Sequence, residues 1–389
     1  MAVESVESVE SADVLTVESF PARFGDAILL TYGPTGTPRP FRILIDAGLK
    51  SFGTKLGRRF ADEKTVIDLL VVSHIDVDHI GGVVSLLRDA SFADRLGGVW
   101  FNGYKHLDEF SDLLGPVDGE RLTQQLVALA SDRDRNVSWN NGWPWKQLSP
   151  GDGLPDRVGG AVVADGVPPR IALPGGATAI VLSPTPAKLA ALLPTWRNVV
   201  ETAGLTSIRA TPEPPTTKRN DMLDAPRLRD LAAMRTPTDT AFANGSSIAF
   251  VFEYVDGPTT KRVLLGADAH PDVLVQSLRQ LAAGVGSTGK FAVDLCKIPH
   301  HASSANVTTE FVTMLACPRW LVSTNGSRFH HPDREALARC IVHGGPQPTL
   351  LFNYASDIVL SFLADYPPAT SGYVATLPPT ANNGITVKL

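Results

Sequence analysis

One stretch limits the folds open to this chain more than any other: His74-Ile-Asp76-Val-Asp78-His79-Ile-Gly81-Gly82. Before it lies Val66-Ile-Asp-Leu-Leu-Val-Val72, an apolar, β-branched run that reads as a buried strand. After it, Gly-Gly-Val-Val-Ser-Leu-Leu-Arg88 reads as a helix. The motif therefore occupies a strand-to-helix turn, with four metal-competent side chains within six residues. Carboxylates held that close repel, and one would take up a proton. A dication among them turns the repulsion into coordination, so the turn is expected to bind metal.

The chain has nine histidines. His74 and His79 belong to the motif, and two adjacent pairs, His300-His301 and His330-His331, fall in the C-terminal third. A lone histidine is more often a satisfied core or surface residue than a ligand, so His106, His270 and His343 are assigned no chemistry. The polar candidates recur at the ends of apolar runs. Arg262-Val-Leu-Leu-Gly266 ends in Ala267-Asp268, Asp294-Leu-Cys-Lys-Ile298 in Pro299-His300-His301, and Trp320-Leu-Val-Ser-Thr324 in Asn325-Gly326. An α/β sandwich gathers such strand ends into one site on a rim.

Several shorter elements complete the reading. Val14-Leu-Thr-Val-Glu-Ser-Phe20, Ala27-Ile-Leu-Leu-Thr-Tyr32 and Phe41-Arg-Ile-Leu-Ile45 are spaced as an antiparallel opening to a sheet. Ser246 to Tyr254 and Arg262 to Gly266 form a hairpin around Asp256-Gly-Pro258. Pro332 to Val342 is a helix with proline in its first turn. Thr349-Leu-Leu-Phe-Asn353 and Gly384-Ile-Thr-Val-Lys-Leu389 are expected to close the sheet.

Residues 1–13, which repeat an acidic Val-Glu-Ser unit, are expected to be disordered, and residues 14–389 to form one domain. Within it, about 105–243 reads as a Pro/Gly-rich insertion, with a mobile loop at Thr211 to Arg219 and a strand at Ala177-Thr-Ala-Ile-Val-Leu182 that could still belong to the main sheet. The N-terminus lacks the basic and apolar regions of a signal peptide, and no run is long enough to span a membrane. The expected compartment is the cytoplasm, with no membrane partner. Cys296, Cys317 and Cys340 fit neither a disulfide framework nor a zinc finger and read as buried thiols. A net charge of −5 gives no general field for a polyanion, so such a substrate needs a local basic patch or the metals. The cluster Lys55-Leu-Gly-Arg-Arg59 is equally well a solvated turn.

With these residues in view, the chain resembles the metallo-β-lactamase superfamily of hydrolases. That resemblance implies an α/β fold, a four-layer αββα sandwich with metals at one rim. The superfamily pattern is His-x-His-x-Asp-His, and here Asp76 stands at the second histidine. This variant, with Gly25-Asp26-Ala27, Leu44-Ile-Asp46-Ala-Gly48, His300-His301-x-Ser303 and the late His331-Pro332, is similar to one branch. The branch includes the soluble hydrolase domain of DNA-uptake competence proteins and bacterial choline-phosphate esterases. The resemblance covers roughly 14–105 and 244–389.

Residue by residue, it implies that Asp78 and His79 serve one metal and His74 the other, with Asp76 beside it. Asp268 matches a bridging carboxylate, although Ala267 intervenes where the branch reads Gly-Asp, so a one-residue bulge would have to re-aim the side chain. His301 aligns as a ligand, with His300 beside it or as an alternate. For the remaining histidine of the first metal, Asn102 and His106 are the nearest candidates.

The implied cofactors are two ions, Zn²⁺ or Mn²⁺, that lower the pKa of a water towards neutrality. Asp78 is expected to be essential, and His331 or Lys297 to donate to the transition state. Ser303, Ser304 and Asn306 are expected to orient a substrate oxygen. The expected function is a metal-dependent phosphodiesterase acting on nucleic acid or a small phosphodiester. Two alternatives remain at this point: an ester or lactone hydrolase of the same fold, and a metal-stabilised, non-catalytic interaction module or effector of a bacterial conflict system.

Overall fold

The computed structural model describes residues 15–34, 37, 39–103, 106–107, 117–135, 137–144, 157–202, 226–284, 289–379 and 384–389. The acidic N-terminus and the Thr211–Arg219 loop lie outside them.

Two sheets face each other. In spatial order, the seven-stranded sheet runs Ile385–Lys388, Leu15–Ser19, Ile28–Tyr32, Phe41–Ile45, Leu69–Val71, Gly98–Trp100, Ser138–Trp139. The eight-stranded sheet runs Val374–Thr376, Thr349–Phe352, Arg319–Val322, Leu295–Lys297, Thr259–Leu265, Ala249–Asp256, Thr178–Ser183, Arg170–Ala172. The two C-terminal strands thus end on different sheets rather than closing one.

The alternation of side chains along each strand explains the layering. Ile43, Ile45, Leu69 and Val71 point between the sheets, where they meet Phe250, Phe252, Val263, Leu265, Leu295 and Leu321. Leu44 and Leu70 point the other way, onto helices Lys50–Asp62 and Val77–Leu86 through Leu56, Phe60 and Val83. On the far side, Leu264, Cys296, Trp320 and Leu350 pack against helices Pro271–Ala283 and Arg334–His343. Three apolar layers separated by two sheets make a four-layer αββα sandwich. All three cysteines are buried free thiols. No helix among the described residues is long and apolar enough to cross a membrane.

The Pro/Gly-rich segment is less of a decoration than its composition implies. Ser138–Trp139 extends the first sheet, and Arg170–Ala172 and Thr178–Ser183 form the edge of the second. Lys55 to Arg59 lie on a helix, not a turn, where Arg59 is held by Glu18 and Glu63.

Two features aim the strand ends. Helix Val77–Leu86 starts directly after Asp76, earlier than its apolar periodicity indicates, and carries Asp78 and His79 in its first turn. A side chain at Gly82 would have its Cβ only 1.9 Å from the Ala47 carbonyl oxygen, so this helix approaches the Asp46–Gly48 loop as only glycine allows. On the other sheet, buried Arg339 donates to the carbonyls of Ala232, Met234, Ser304 and Val307, pinning the segment after helix Leu228–Ala233 beside the histidine pair.

Candidate metal centre

The centre forms around one carboxylate oxygen. Asp268 Oδ2 lies 3.3 Å from His79 Nε2, 3.7 Å from His300 Nε2, 3.8 Å from His301 Nε2 and 3.9 Å from His74 Nε2. Asp78 Oδ2 is 4.0 Å from His301 Nε2, and Asp76 Oδ2, on a side chain that is 40% exposed, is 3.7 Å from His74 Nε2. Asp76, Asp78, His79 and His74 from the first sheet therefore meet Asp268, His300 and His301 from the second at one rim.

Strained backbone does the aiming. Six of the positive-φ residues other than glycine are Asp46, Ala267, His300, His301, Ala302 and His330, all in the loops that form this rim. Each costs roughly 1–2 kcal/mol for an L-residue, so the surrounding structure must hold them. Ala267, at φ 44°, re-aims Asp268 from a turn beyond the strand, and the ladder of Ala249–Asp256 with Thr259–Leu265 runs without a bulge. His300 and His301 turn inwards through φ of 47° and 53°, with His300 N bonded to Ala267 O at 2.8 Å.

A second set of contacts fixes each imidazole. His79 Nδ1 lies 2.8 Å from Asp46 Oδ2, and Asp46 also accepts from the backbone and hydroxyl of Ser73. His74 Nδ1 is 2.9 Å from Ser73 Oγ. His301 Nδ1 donates to Ser323 O at 2.7 Å, and His300 Nδ1 donates to Asn306 Oδ1 at 2.9 Å. In each ring the outer nitrogen is engaged, which turns Nε2 towards the centre. His74 Nε2, His79 Nε2, His301 Nε2 and Asp268 Oδ1 are buried with no hydrogen-bond partner. Buried polar atoms are rarely left so, and the three imidazole nitrogens, which converge on Asp268 Oδ2, fit a cation, while Asp268 Oδ1 faces Lys297 at 3.9 Å. Asp26, His79, Asp268 and His301 also bring ligand atoms within 4.8 Å of one another.

The electrostatics are those of crowded, buried charge. Burial pushes the Asp78 carboxyl up to about 6, with Asp76 and Asp268 adding to the rise against the pull of His79 and His74. Burial also pushes His301 down to about 3, despite Asp26 and Asp268. For His79, burial is outweighed by Asp268 and Asp46, which hold it well above its ordinary value. Burial raises Asp26, but Lys297, His301 and His79 together bring it below the usual carboxylate range.

Lys297 is 1% exposed and forms an ion pair with Asp26, with the Ala267 carbonyl 3.2 Å and Asp268 Oδ1 3.9 Å away. It is the internal counter-ion of two carboxylates, facing away from solvent. His331 Nδ1 is 3.1 Å from Asp333 Oδ1, and its ring centroid lies 5.5 Å from that of His300.

Other expected residues are elsewhere or otherwise occupied. Asn102 exchanges two 2.8 Å hydrogen bonds with the backbone of Val162. His106 accepts from Gly103 N and lies 3.2 Å from Gly159 O, against Trp139. Neither completes the centre. Asn306 faces inwards, bridging His300, Asp239 and the Asp268 carbonyl, and Ser304 is tied through its backbone to Asp333. Asp239, Ser323 and Asp333 were not singled out from sequence, and Asp26 and Asp46 belonged to quoted motifs with no role assigned. The signal for Asp26 and Asp46 was their place beside a glycine at a strand end; the others carry none.

No family model and no curated protein matches the chain. Among solved structures, it is similar to MEM-A1, a subclass B3 metallo-β-lactamase from a soil metagenome library, at 13% identity over 85% of this chain and 88% of that one, with a TM-score of 0.30. BJP-1, a subclass B3 metallo-β-lactamase of Bradyrhizobium japonicum, is 12% identical over 74% and 75%, with a TM-score of 0.30. A long-form RNase Z from yeast is 10% identical over 82% of this chain and 38% of that one, with a TM-score of 0.34. Likenesses this weak decide neither branch nor substrate.

Proposed function

We propose that the chain is a metal-dependent hydrolase of the metallo-β-lactamase superfamily and that its substrate is a phosphodiester. One observation carries the metal: three buried imidazole nitrogens without hydrogen-bond partners, those of His74, His79 and His301, converge within 3.9 Å of Asp268 Oδ2. Asp78, His79, His301 and Asp268 would hold one ion, and His74 with Asp76 and Asp268 a second. The imidazole-rich set supports zinc over a harder ion. Bound there, such ions supply Lewis acidity and an activated water.

The chain's own residues do the rest. Asp46, Ser73, Ser323 and Asn306 hold the imidazoles in one tautomer and orientation. Lys297 neutralises Asp26, so the buried carboxylates do not repel one another apart. His331, oriented by Asp333, can hold a proton for the leaving oxygen. The motif similarity to the competence-protein branch favours phosphodiesters over carboxylic esters.

The test is turnover of bis(p-nitrophenyl) phosphate beside p-nitrophenyl acetate. The reading expects cleavage of the diester, lost on chelation and restored by Zn²⁺ or Mn²⁺. Cleavage of the acetate alone would transfer the site to ester hydrolysis.

A further inference from the structure

The two loops that carry Asp26 and His331 into the centre also build a rim of a different kind. Arg23 and Arg328 are exposed, and Phe329 is half-buried between solvent and Phe24. The Phe24 and Phe329 rings meet edge to face at 6.0 Å. The Arg328 guanidinium lies 5.4 Å from the Phe24 centroid and 5.1 Å from that of Phe329, and Arg23 lies 6.0 Å from Phe24. No motif links these residues, because about three hundred positions separate the loops in sequence.

The rim is fixed and adjoins the centre. Arg23 N donates to Tyr354 Oη and Asn325 N to Arg23 O, each at 2.8 Å. A Cβ at Gly25 would lie 1.9 Å from the Asp78 carbonyl oxygen, so this loop rests on the backbone of Asp78. The Phe329 and His331 rings are 6.3 Å apart. Among the described residues, neither Arg23 nor Arg328 has a carboxylate within ion-pair distance, whereas Arg39, Arg59, Arg262 and Arg334 each do.

We propose that this rim binds a single-stranded nucleic acid, with Arg23 and Arg328 on phosphates flanking the one at the centre and Phe329 beneath a base. Unpaired guanidiniums held in place by aromatic faces suit phosphate oxygens. An aromatic ring that is part exposed can stack a base only where the base is not already stacked in a duplex. On a chain of net charge −5, attraction of a polyanion must come from such a local patch. The inference rests on the phosphodiesterase reading for what the rim delivers, but strand binding is measured without hydrolysis, so either can fail alone.

The experiment is fluorescence anisotropy of a labelled, hydrolysis-resistant phosphorothioate thymidine strand of about ten nucleotides, using the protein as purified over a salt series. The double variant R23A/R328A should weaken binding at least tenfold and reduce the salt slope by about 1.4, since each single-strand phosphate contact contributes about 0.7. The variant R58A/R88A, which removes the same charge from exposed positions on the helical layer, should bind within about twofold of wild type. Equal losses in both variants, or none in R23A/R328A, would overturn the rim. Equally tight binding of the matching duplex would overturn the single strand, and polyglutamate competing as well as the strand would make the partner an acidic protein.

Discussion

Asp46 Oδ2 sits 2.8 Å from His79 Nδ1, both side chains buried, and that contact dictates that Nε2 is the nitrogen His79 offers to the centre. Asp46→Asn keeps the size and an acceptor for Ser73 but removes the charge that raises the basicity of the imidazole. Zinc affinity, read by competition with a chromophoric chelator, should fall about 10–100-fold. An affinity within twofold of wild type would remove Asp46 from the account.

Asp78→Asn should abolish diester hydrolysis and leave the metal-free protein folded. Asp78 is a buried carboxylate crowded by Asp76 and Asp268, and removing its charge eases that repulsion. Thermal unfolding after chelation should show a melting temperature at or above that of wild type. A variant that unfolds would mean the metal-binding turn is structural; one that keeps its turnover would rule out Asp78 as a ligand.

His106 sets a pH dependence remote from the centre. Burial pushes it down to about 4 from 6.5, against modest support from Gly159 and Gly103. The folded state holds the neutral ring while the unfolded chain binds a proton below about 6.5, so stability is full above that pH and is lost as pH falls towards 4. Between pH 7 and 5 the loss is about 2 kcal/mol. His106→Gln should lose that much less over the same range in urea titrations. A variant with the wild-type pH slope would show that another group carries the effect.

Asp76 is the residue that departs from the superfamily pattern. Its carboxylate is 3.7 Å from His74 Nε2 on a half-exposed side chain, so it can reach an ion without being fixed by neighbours. If it is a ligand, Asp76→His should increase the preference of turnover for Zn²⁺ over Mn²⁺ relative to wild type. If it only orients a ligand or water, the change should cost activity with both ions. Unchanged activity and preference would leave it no role.

The sandwich was legible because its strands alternate and its strand-to-helix turn is dense in histidine and aspartate. The grouping of the candidate site was legible in outline for the same reason: His74, Asp76, Asp78 and His79 are local, and Asp268 and His301 end apolar runs. What the sequence hid depends on contacts across the fold. Lys297 reads as a donor beside a histidine pair, yet it faces inwards onto Asp26, some 270 residues away. The Pro/Gly-rich segment reads as an insertion because its strands are short and its loops long, although it supplies edges to both sheets. The bulge expected before Asp268 is a left-handed alanine, a conformation no local pattern announces.

The most direct test is metal content by mass spectrometry on protein purified without chelator, with Asp268→Ala measured alongside. Asp268 Oδ2 is the atom the four imidazole nitrogens share. Wild type should carry at least about one divalent ion per chain, mainly zinc, and the variant less than about a tenth of that at matched folding by circular dichroism. Equal metal in both proteins would contradict the centre described here, as would wild type that is metal-free and gains neither an ion nor diester turnover when Zn²⁺ or Mn²⁺ is added.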